Sequence, residues 1–426
     1  DAKPCDACRT CVAFFCPAPG RSSPNYLPLP PGVTRNPAGG FLKNFTYFNP
    51  VRVYFGKGTI ARLKESIPAG ARVMMTWGGG SIRQNGVYEQ VASALKGHPV
   101  AEFGGIEPNP RFETLMRAVA AARSEKIDFL LSVGGGSVLD GTKFIAAAVP
   151  FPGPEPWDLL SKHTPVRAAL PIGCVLTLPA TGSEMNGTAV ISREATREKL
   201  AFGSPLLFPR FSVLDPESTL SLPPRQTANG VVDAFVHVLE QYLTYPAAAP
   251  LQDRQAEAIL LTLIECGPRL LASPDSYDER ATLMWCATQA LNGLIGCGVP
   301  QDWATHAIGH ELTAAYGLDH AQTLAVVLPA LLRHQKQQKG EKLLQYGERI
   351  WGISSGSEEQ RMEEAIAQTE AFFRSLGVRT RLAEYDIPAE GVRGIGARIE
   401  ARDGKIGERR DIGAEQIDAI LQACTK

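Results

Sequence analysis

Five side chains in the second half of the chain, Asp233, His237, His306, His310 and His320, have the types and spacing to hold a metal ion. The stretch "GVVDAFVHVLEQY" sets Asp233 and His237 at i and i+4. On a helix both then project from one face about a turn apart, a spacing that a single ion can bridge. Glu240 shares the stripe, flanked by the apolar Val232, Phe235, Val236, Leu239 and Leu243. Further on, "QDWATHAIGHELTAAYGLDHAQT" carries three of the chain's seven histidines. His306 and His310 repeat the i, i+4 spacing, Gly317 reads as a helix stop, and Asp319 reads as the cap of a helix with His320 in its first turn. By itself the Asp233–His237 pair reads better as a solvated contact than as a metal site, and the later cluster is what raises a metal above that. A carboxylate with imidazoles is borderline donor chemistry, suited to Zn²⁺ or Fe²⁺ and not to Mg²⁺ or Ca²⁺. Four protein ligands usually make a closed structural site, whereas catalysis leaves a position for substrate, and His310 reads as surplus to the set. Such an ion would polarise a carbonyl for hydride transfer. The "HELTA" segment lacks the second histidine of H-E-x-x-H, since position 314 is alanine, which argues against a metalloprotease.

A second kind of chemistry is suggested by two turns in the first half. "MMTWGGGS" reaches Gly78, Gly79, Gly80 and Ser81, and "LLSVGGGS" reaches Gly134, Gly135, Gly136 and Ser137, with a helix expected after each. Glycines there let the backbone approach a ligand, and the N–H groups of a helix start face an anion such as a pyrophosphate. Neither turn is G-x-G-x-x-G, so each alone reads better as a tight strand-to-helix turn. The pair, with the hydroxyl-rich "TLPATGSE" at 177–184, points to a phosphate-rich cofactor. A ribose 2′-hydroxyl wants a nearby acid, whereas a 2′-phosphate wants small hydroxyls, N–H groups and a cation. Gly80, Ser81 and Arg83 offer the latter, favouring NADP, although Glu102 ends the next strand at about the distance of a ribose acid.

Elements must position these groups. "VRVYFG", "ARVMMTW", "HPVAEF" and "IDFLLSV" read as strands, and "PRFETLMRAVAAARSEK" as a helix with Asn109 and Pro110 as cap and first-turn proline. That alternation implies a parallel sheet with crossover helices, a Rossmann-like α/β arrangement. After "SLPPRQ" nearly everything reads as amphipathic helix, so the expected organisation is an extension at 1–40, an α/β domain at 41–222 and an all-helical domain at 223–426.

The chain has 426 residues, 44% apolar, with 43 Lys and Arg against 44 Asp and Glu for a net charge of −1. Ordinary globular composition excludes a disordered or fibrous chain, and the charge balance gives no field to recruit nucleic acid or an anionic membrane. Apolar runs such as "LAVVLPALL" are too short to span a bilayer. Scattered cysteines at 174, 266, 286, 297 and 424 suit buried thiols, and a cytoplasmic location is expected. "CDACRTCVAFFCP" at 5–17 is C-x2-C-x2-C-x4-C-P, one residue longer in its last gap than a ferredoxin run, with no second run to complete it. The extension is expected to be disordered, a processed leader or sequence upstream of the true start. An electron-transfer or metal-binding module built on these cysteines is the rival from another class.

Together "GGGSVLDGTK", "LPATGSE", "GVVDAFVH" and H-x3-H-x9-H resemble the iron-containing alcohol dehydrogenases, specifically their butanol dehydrogenase-like, NADPH-dependent aldehyde reductase branch, from about residue 43 to near the C-terminus. The resemblance implies the dehydroquinate synthase-like fold of that family, a dinucleotide-binding α/β domain followed by an all-helical metal domain, with the active site between them. It implies Asp233, His237, His306 and His320 as ligands of one Fe²⁺ or Zn²⁺, and His310 as a non-ligand near the nicotinamide, available for proton relay. Cofactor contacts carried over are Gly78, Gly79, Gly80, Ser81, Asn109, Gly134, Gly135, Gly136, Ser137, Asp140, Thr177, Leu178, Thr181, Ser183, Lys199 and Leu222. NAD-using members carry an acid inside the first glycine turn, and this chain does not. One departure is that the family's G-T-G-S-E reads A-T-G-S-E at Ala180 to Glu184. The implied activity is reversible NADPH-linked reduction of an aldehyde to a primary alcohol by a homodimer. A polyol dehydrogenase or dehydroquinate synthase-like cyclase of the same superfamily is the nearest rival, but a phosphorylated substrate would call for a basic cluster that the metal helices lack.

Overall fold

Residues 41–425 are described by the computed structural model, so the cysteine run and the extension to residue 40 lie outside the described residues. The four apolar runs become strands β1 (Arg52–Phe55), β2 (Val73–Thr76), β3 (Val100–Phe103) and β4 (Phe129–Gly135). They are followed by β5 (Ile172–Leu178), β6 (Thr188–Arg193), β7 (Glu198–Gly203) and β8 (Phe211–Leu214). Six of these form one parallel sheet in the order β1-β8-β5-β4-β2-β3, and β6 pairs antiparallel with β7 in a hairpin outside it. All residues of β2 and β8 are buried, as a parallel sheet covered on both faces requires. Between the strands lie α1 (Leu63–Ser66), α2 (Val87–Ala94), α3 (Phe112–Ser124), α4 (Gly136–Ala148) and α5 (Asp158–Ser161). Leu115, Leu139 and Phe144 pack one face of the sheet, while Ile60, Leu63, Val87 and Val91 pack the other, which makes the sheet doubly wound.

Two local expectations change. Only a single 3₁₀ turn, Ser81–Arg83, follows the first glycine turn, because Gly80 and Gly86 both take left-handed φ, 96° and 78°, and α2 starts only at Val87. Asn109 does not cap α3; the capping position is Arg111, and Asn109 sits at φ 57°. An asparagine tolerates that conformation, and it is held there by bonds at both ends: its N–H donates to Ser137 Oγ (3.3 Å) and its Oδ1 accepts from Lys199 Nζ (2.9 Å).

The changeover to helix falls between Leu214 and Pro224. There follow α6 (Pro224–Tyr242), α7 (Pro250–Ala272), α8 (Tyr277–Ala290), α9 (Ala304–Tyr316), α10 (His320–His334), α11 (Lys336–Trp351), α12 (Glu358–Ser375), α13 (Ile395–Asp403) and α14 (Ala414–Ala423). Their apolar faces form one core around α6 and α10, both nearly enclosed. As the sequence suggests, α9 stops at left-handed Gly317 and α10 opens with a capping box of Asp319 and Gln322. Asp319 Oδ2 also accepts from Arg225 Nη1 (2.7 Å) and Asn229 Nδ2 (2.8 Å) of α6, which fixes the start of α10 against the first turns of α6. No described helix is long and apolar enough to cross a membrane.

Gly230 brings α6 against the loop after β5, since a Cβ there would lie 2.4 Å from the Pro179 carbonyl oxygen. Alanine would add about 1 kcal/mol of helix propensity, but a backbone oxygen cannot rotate away. Gly230→Ala is expected to lower stability by about 1–3 kcal/mol in chemical denaturation, the usual range for overpacking; stability at or above wild type would show that the approach is slack.

Candidate active site

Three helix segments bring four ligand atoms together. Asp233 and His237 come from one face of α6, His306 from the first turn of α9 and His320 from the first residue of α10, and one donor atom from each lies within 4.8 Å of the others. Asp233 Oδ1 is 3.7 Å from Nε2 of both His237 and His320. Asp233, His237 and His306 are buried, yet Asp233 Oδ1 and His306 Nε2 have no hydrogen-bond partner, and neither do the Nδ1 atoms of His237 and His320. Buried polar atoms are ordinarily paired, so Asp233 Oδ1, left without a donor beside Nε2 of His237 and of His320, and His306 Nε2, likewise without one, fit a cation.

The protonation states agree with that fit. Burial pushes His237 down to about 4 and His306 down to about 3, and holds His310 and His320 well below the ordinary histidine range, so all four rings are neutral near pH 7. Neutral imidazole is the form that ligates a metal. Burial also raises Asp233, against the pull of His237 and Lys199. An oxygen with three nitrogens suits Fe²⁺ or Zn²⁺.

Glu240, which the sequence placed on the same stripe without a role, fixes the tautomer of His306. Its Oε2 accepts from His306 Nδ1, leaving the Nε2 lone pair for the ligand cluster, while its Oε1 accepts from Thr305 N (2.7 Å). Burial followed by the nearby Asp302 raises Glu240 well above the ordinary carboxyl range, against the opposing pull of Thr305 and the His306 backbone N–H. The chain turns into α9 through Trp303 at φ 62°, whose ring stands edge-on 5.4 Å from that of His306 and 6.1 Å from that of His237. His310 lies one turn further along α9, with its ring 5.3 Å from that of His320, outside the group of four.

One cavity of about 960 Å³ joins this cluster to the α/β half. His237, His306, His310 and His320 line it, and so do Asn109, Ser137, Asp140, Thr181, Ser183 and Lys199 among others. Lys199 is buried and lowered by that burial to about 8, with Asn109 Oδ1 as its hydrogen-bond acceptor. Asp140 takes a supporting position: its oxygens accept from Ser183 Oγ (2.7 Å) and Val190 N (2.9 Å). Lys143, buried beside it and unremarked in the sequence, donates to Ser183 Oγ (2.7 Å) and to the carbonyls of Ser183 (2.7 Å) and Thr188 (2.8 Å). A lysine on the buried side of a helix gives no periodicity signal that would have singled it out.

The two glycine turns differ. A Cβ at Gly134 would fall 2.5 Å from Val138, at Gly135 2.9 Å from Leu178, and at Gly136 2.3 Å from Thr181, so the second turn is glycine because the chain packs on itself. Gly79 and Gly80 face open space, as a backbone approached by a ligand would. Gly78, Gly79, Gly80 and Ser81 lie at the carboxyl end of β2 and, with Thr177, Leu178 and Leu222, are not among the residues lining the cavity.

Residues 50–216 match the family description iron-containing alcohol dehydrogenase, and residues 227–425 match Fe-containing alcohol dehydrogenase family, C-terminal. The chain is 56% identical over 385 residues to the NADPH-dependent aldehyde reductase YqhD of Escherichia coli, covering 90% of this chain and all of that protein, whose crystal structure superposes with a TM-score of 0.89. It is 42% identical to a probable NADH-dependent butanol dehydrogenase 1 of Bacillus subtilis, again covering 90% of this chain and 100% of the relative. It also resembles the structure of NADH-dependent butanol dehydrogenase A from Thermotoga maritima, at 35% identity and a TM-score of 0.87, over 91% of this chain and 100% of that one.

The bond from Glu240 to His306 predicts that Glu240→Gln weakens metal retention by about 10- to 100-fold, as losing a partner behind a ligand usually does. Competition with a chelator, followed by metal content with circular dichroism as a fold control, reads this directly. Unchanged retention would reduce Glu240 to a packing residue.

Proposed function

The chain belongs to the iron-containing alcohol dehydrogenase family, and from that premise we propose that it reduces small aldehydes reversibly to primary alcohols with NADPH, at a divalent metal held by Asp233, His237, His306 and His320. The observation that carries this reading is one cavity that His237, His306 and His320 share with Asn109, Ser137 and Lys199, with His306 Nε2 left without a hydrogen-bond partner. When bound, the metal supplies Lewis acidity toward a carbonyl oxygen and the nicotinamide supplies the hydride.

The chain's own residues do the remaining work. Trp303 and the stacked rings of His237 and His306, 4.7 Å apart, wall part of the cavity. Neutral His310 has one ring N–H and one lone pair, so it can pass a proton to the product oxygen and recover one from the ribose or bound water. Lys199, with one bond to Asn109, retains donors for cofactor oxygens, and its charge favours an anionic group in the cavity. Asp140 and Lys143 hold the Ser183 hydroxyl, and Thr181 Oγ1 accepts from Ser183 N, so this loop is ordered before a cofactor arrives. The same donor set serves Fe²⁺ or Zn²⁺, and availability decides which is carried.

His306→Ala should reduce NADPH oxidation with a short aldehyde by about 10³-fold or more, the scale of a lost Lewis acid, with the fold retained. Stripping the metal with a chelator should give a similar loss, and re-adding Fe²⁺ or Zn²⁺ should restore the rate. Full activity in the stripped protein would overturn the assignment. For proton relay, His310→Phe should lower kcat by about 10²-fold while leaving metal content unchanged; loss of metal in that variant would instead make His310 a ligand.

A further inference from the structure

Sheet order locates where a dinucleotide's adenosine end would be read. The chain leaves β2 to form β3 on one side and returns to form β4 on the other, so β2 and β4 flank the switch point of the sheet. In open parallel sheets the ligand lies in the crevice beyond the carboxyl ends at that point. The residue that discriminates between the two nicotinamide dinucleotides then sits near the end of the neighbouring strand, where an acid reads a ribose 2′-hydroxyl and an arginine accommodates a 2′-phosphate.

Here both are present and bound to each other. Glu102 on β3 stands opposite Met75 of β2, and its Oε2 accepts from Arg83 Nη2 at 2.8 Å. Its other oxygen accepts from the Tyr88 hydroxyl at 2.6 Å. The guanidinium lies over the Tyr88 ring at 4.2 Å and within 5.1 Å of the Trp77 ring. Arg83 thus has an aromatic shelf beneath it, a carboxylate at one edge and the open face of Gly79 and Gly80 nearby along the chain. Both ends of the ion pair remain half exposed, as a surface that meets a dissolved cofactor must.

We propose that Arg83 determines cofactor choice by meeting the 2′-phosphate, and that Tyr88 and Glu102 are positioning residues for it. Each Glu102 oxygen already accepts one hydrogen bond, from Arg83 and from Tyr88, so the acid is committed to holding the cation that meets the phosphate. This rests on the nicotinamide-linked reading above. It also accounts for a cofactor choice that overall similarity does not decide, because closely similar relatives carry both NADPH and NADH in their names.

The test compares kcat/KM for NADPH and NADH in the metal-loaded wild type, Arg83→Ala, Tyr88→Phe, Glu102→Gln and the Arg83→Ala/Glu102→Gln double variant, with a short aldehyde as co-substrate. Arg83→Ala should lower the NADPH:NADH ratio by about tenfold or more through the NADPH KM with kcat retained, the scale of a lost charged hydrogen bond. It should also lower the NADH KM, because Glu102 is released. The double variant should keep the NADPH loss and lose the NADH gain. Tyr88→Phe and Glu102→Gln should each raise the NADPH KM, by less than Arg83→Ala. A ratio within threefold of wild type in Arg83→Ala, or an equal rise in both KM values, would overturn the proposal while leaving the reductase reading intact. A wild type that oxidises neither cofactor would overturn both.

Discussion

The helical half is built around one buried carboxylate, two buried imidazoles and a half-buried third, whose donor atoms lie together in one cluster. Removing Asp233 and three ring nitrogens from water is unfavourable by several kcal/mol unless a cation replaces the lost hydration. Holding them there needs helix surfaces that meet within 4.8 Å. The apolar flank of α6, the stop at Gly317 and the capping box at Asp319 serve that requirement directly. So does the bond from Glu240 to His306, which decides the nitrogen that His306 presents.

A second layer of buried charge holds the first in register. Asp302 donates its N–H to the Glu240 carbonyl (2.8 Å) and pairs through its side chain with Lys339 of α11 (2.9 Å), which also binds Glu408 (2.8 Å). The start of α9 is therefore anchored to α6 on one side and to α11 on the other. Left-handed Trp303 sits within that anchored turn and closes the wall of the site with its ring. Breaking such a cluster by removing one member leaves an uncompensated buried charge, so its role is to fix geometry more than to add stability.

The sheet half contributes a surface in place of a nest. Its loops pack against α6 and against one another because glycines permit two close approaches, Gly230 against Pro179 and Gly136 against Thr181. Lys199, on the hairpin strand β7, then projects into the cavity that the helices wall. The hairpin was not legible in the sequence, because a short antiparallel excursion outside the main sheet carries no crossover helix to mark it.

The candidate metal donors, the order of sheet before helices and the candidate anion-binding turns of the first half were legible in the sequence by itself. Those follow from donor types, i, i+4 spacing, apolar runs and glycine turns, all of which are local. The caps at Gly317 and Asp319 were equally local and equally legible, whereas Asn109 was not, because its side chain answers to Lys199, 90 residues away. Glu240 and Lys143 are of the same kind, since what each side chain touches depends on elements packed against it. The opposition read in the sequence between Arg83 and Glu102 became a pairing once β3 lay beside β2. Residue types and short spacings fix which chemistry is possible; only packing across distant segments decides which atoms are already engaged and which remain for a ligand.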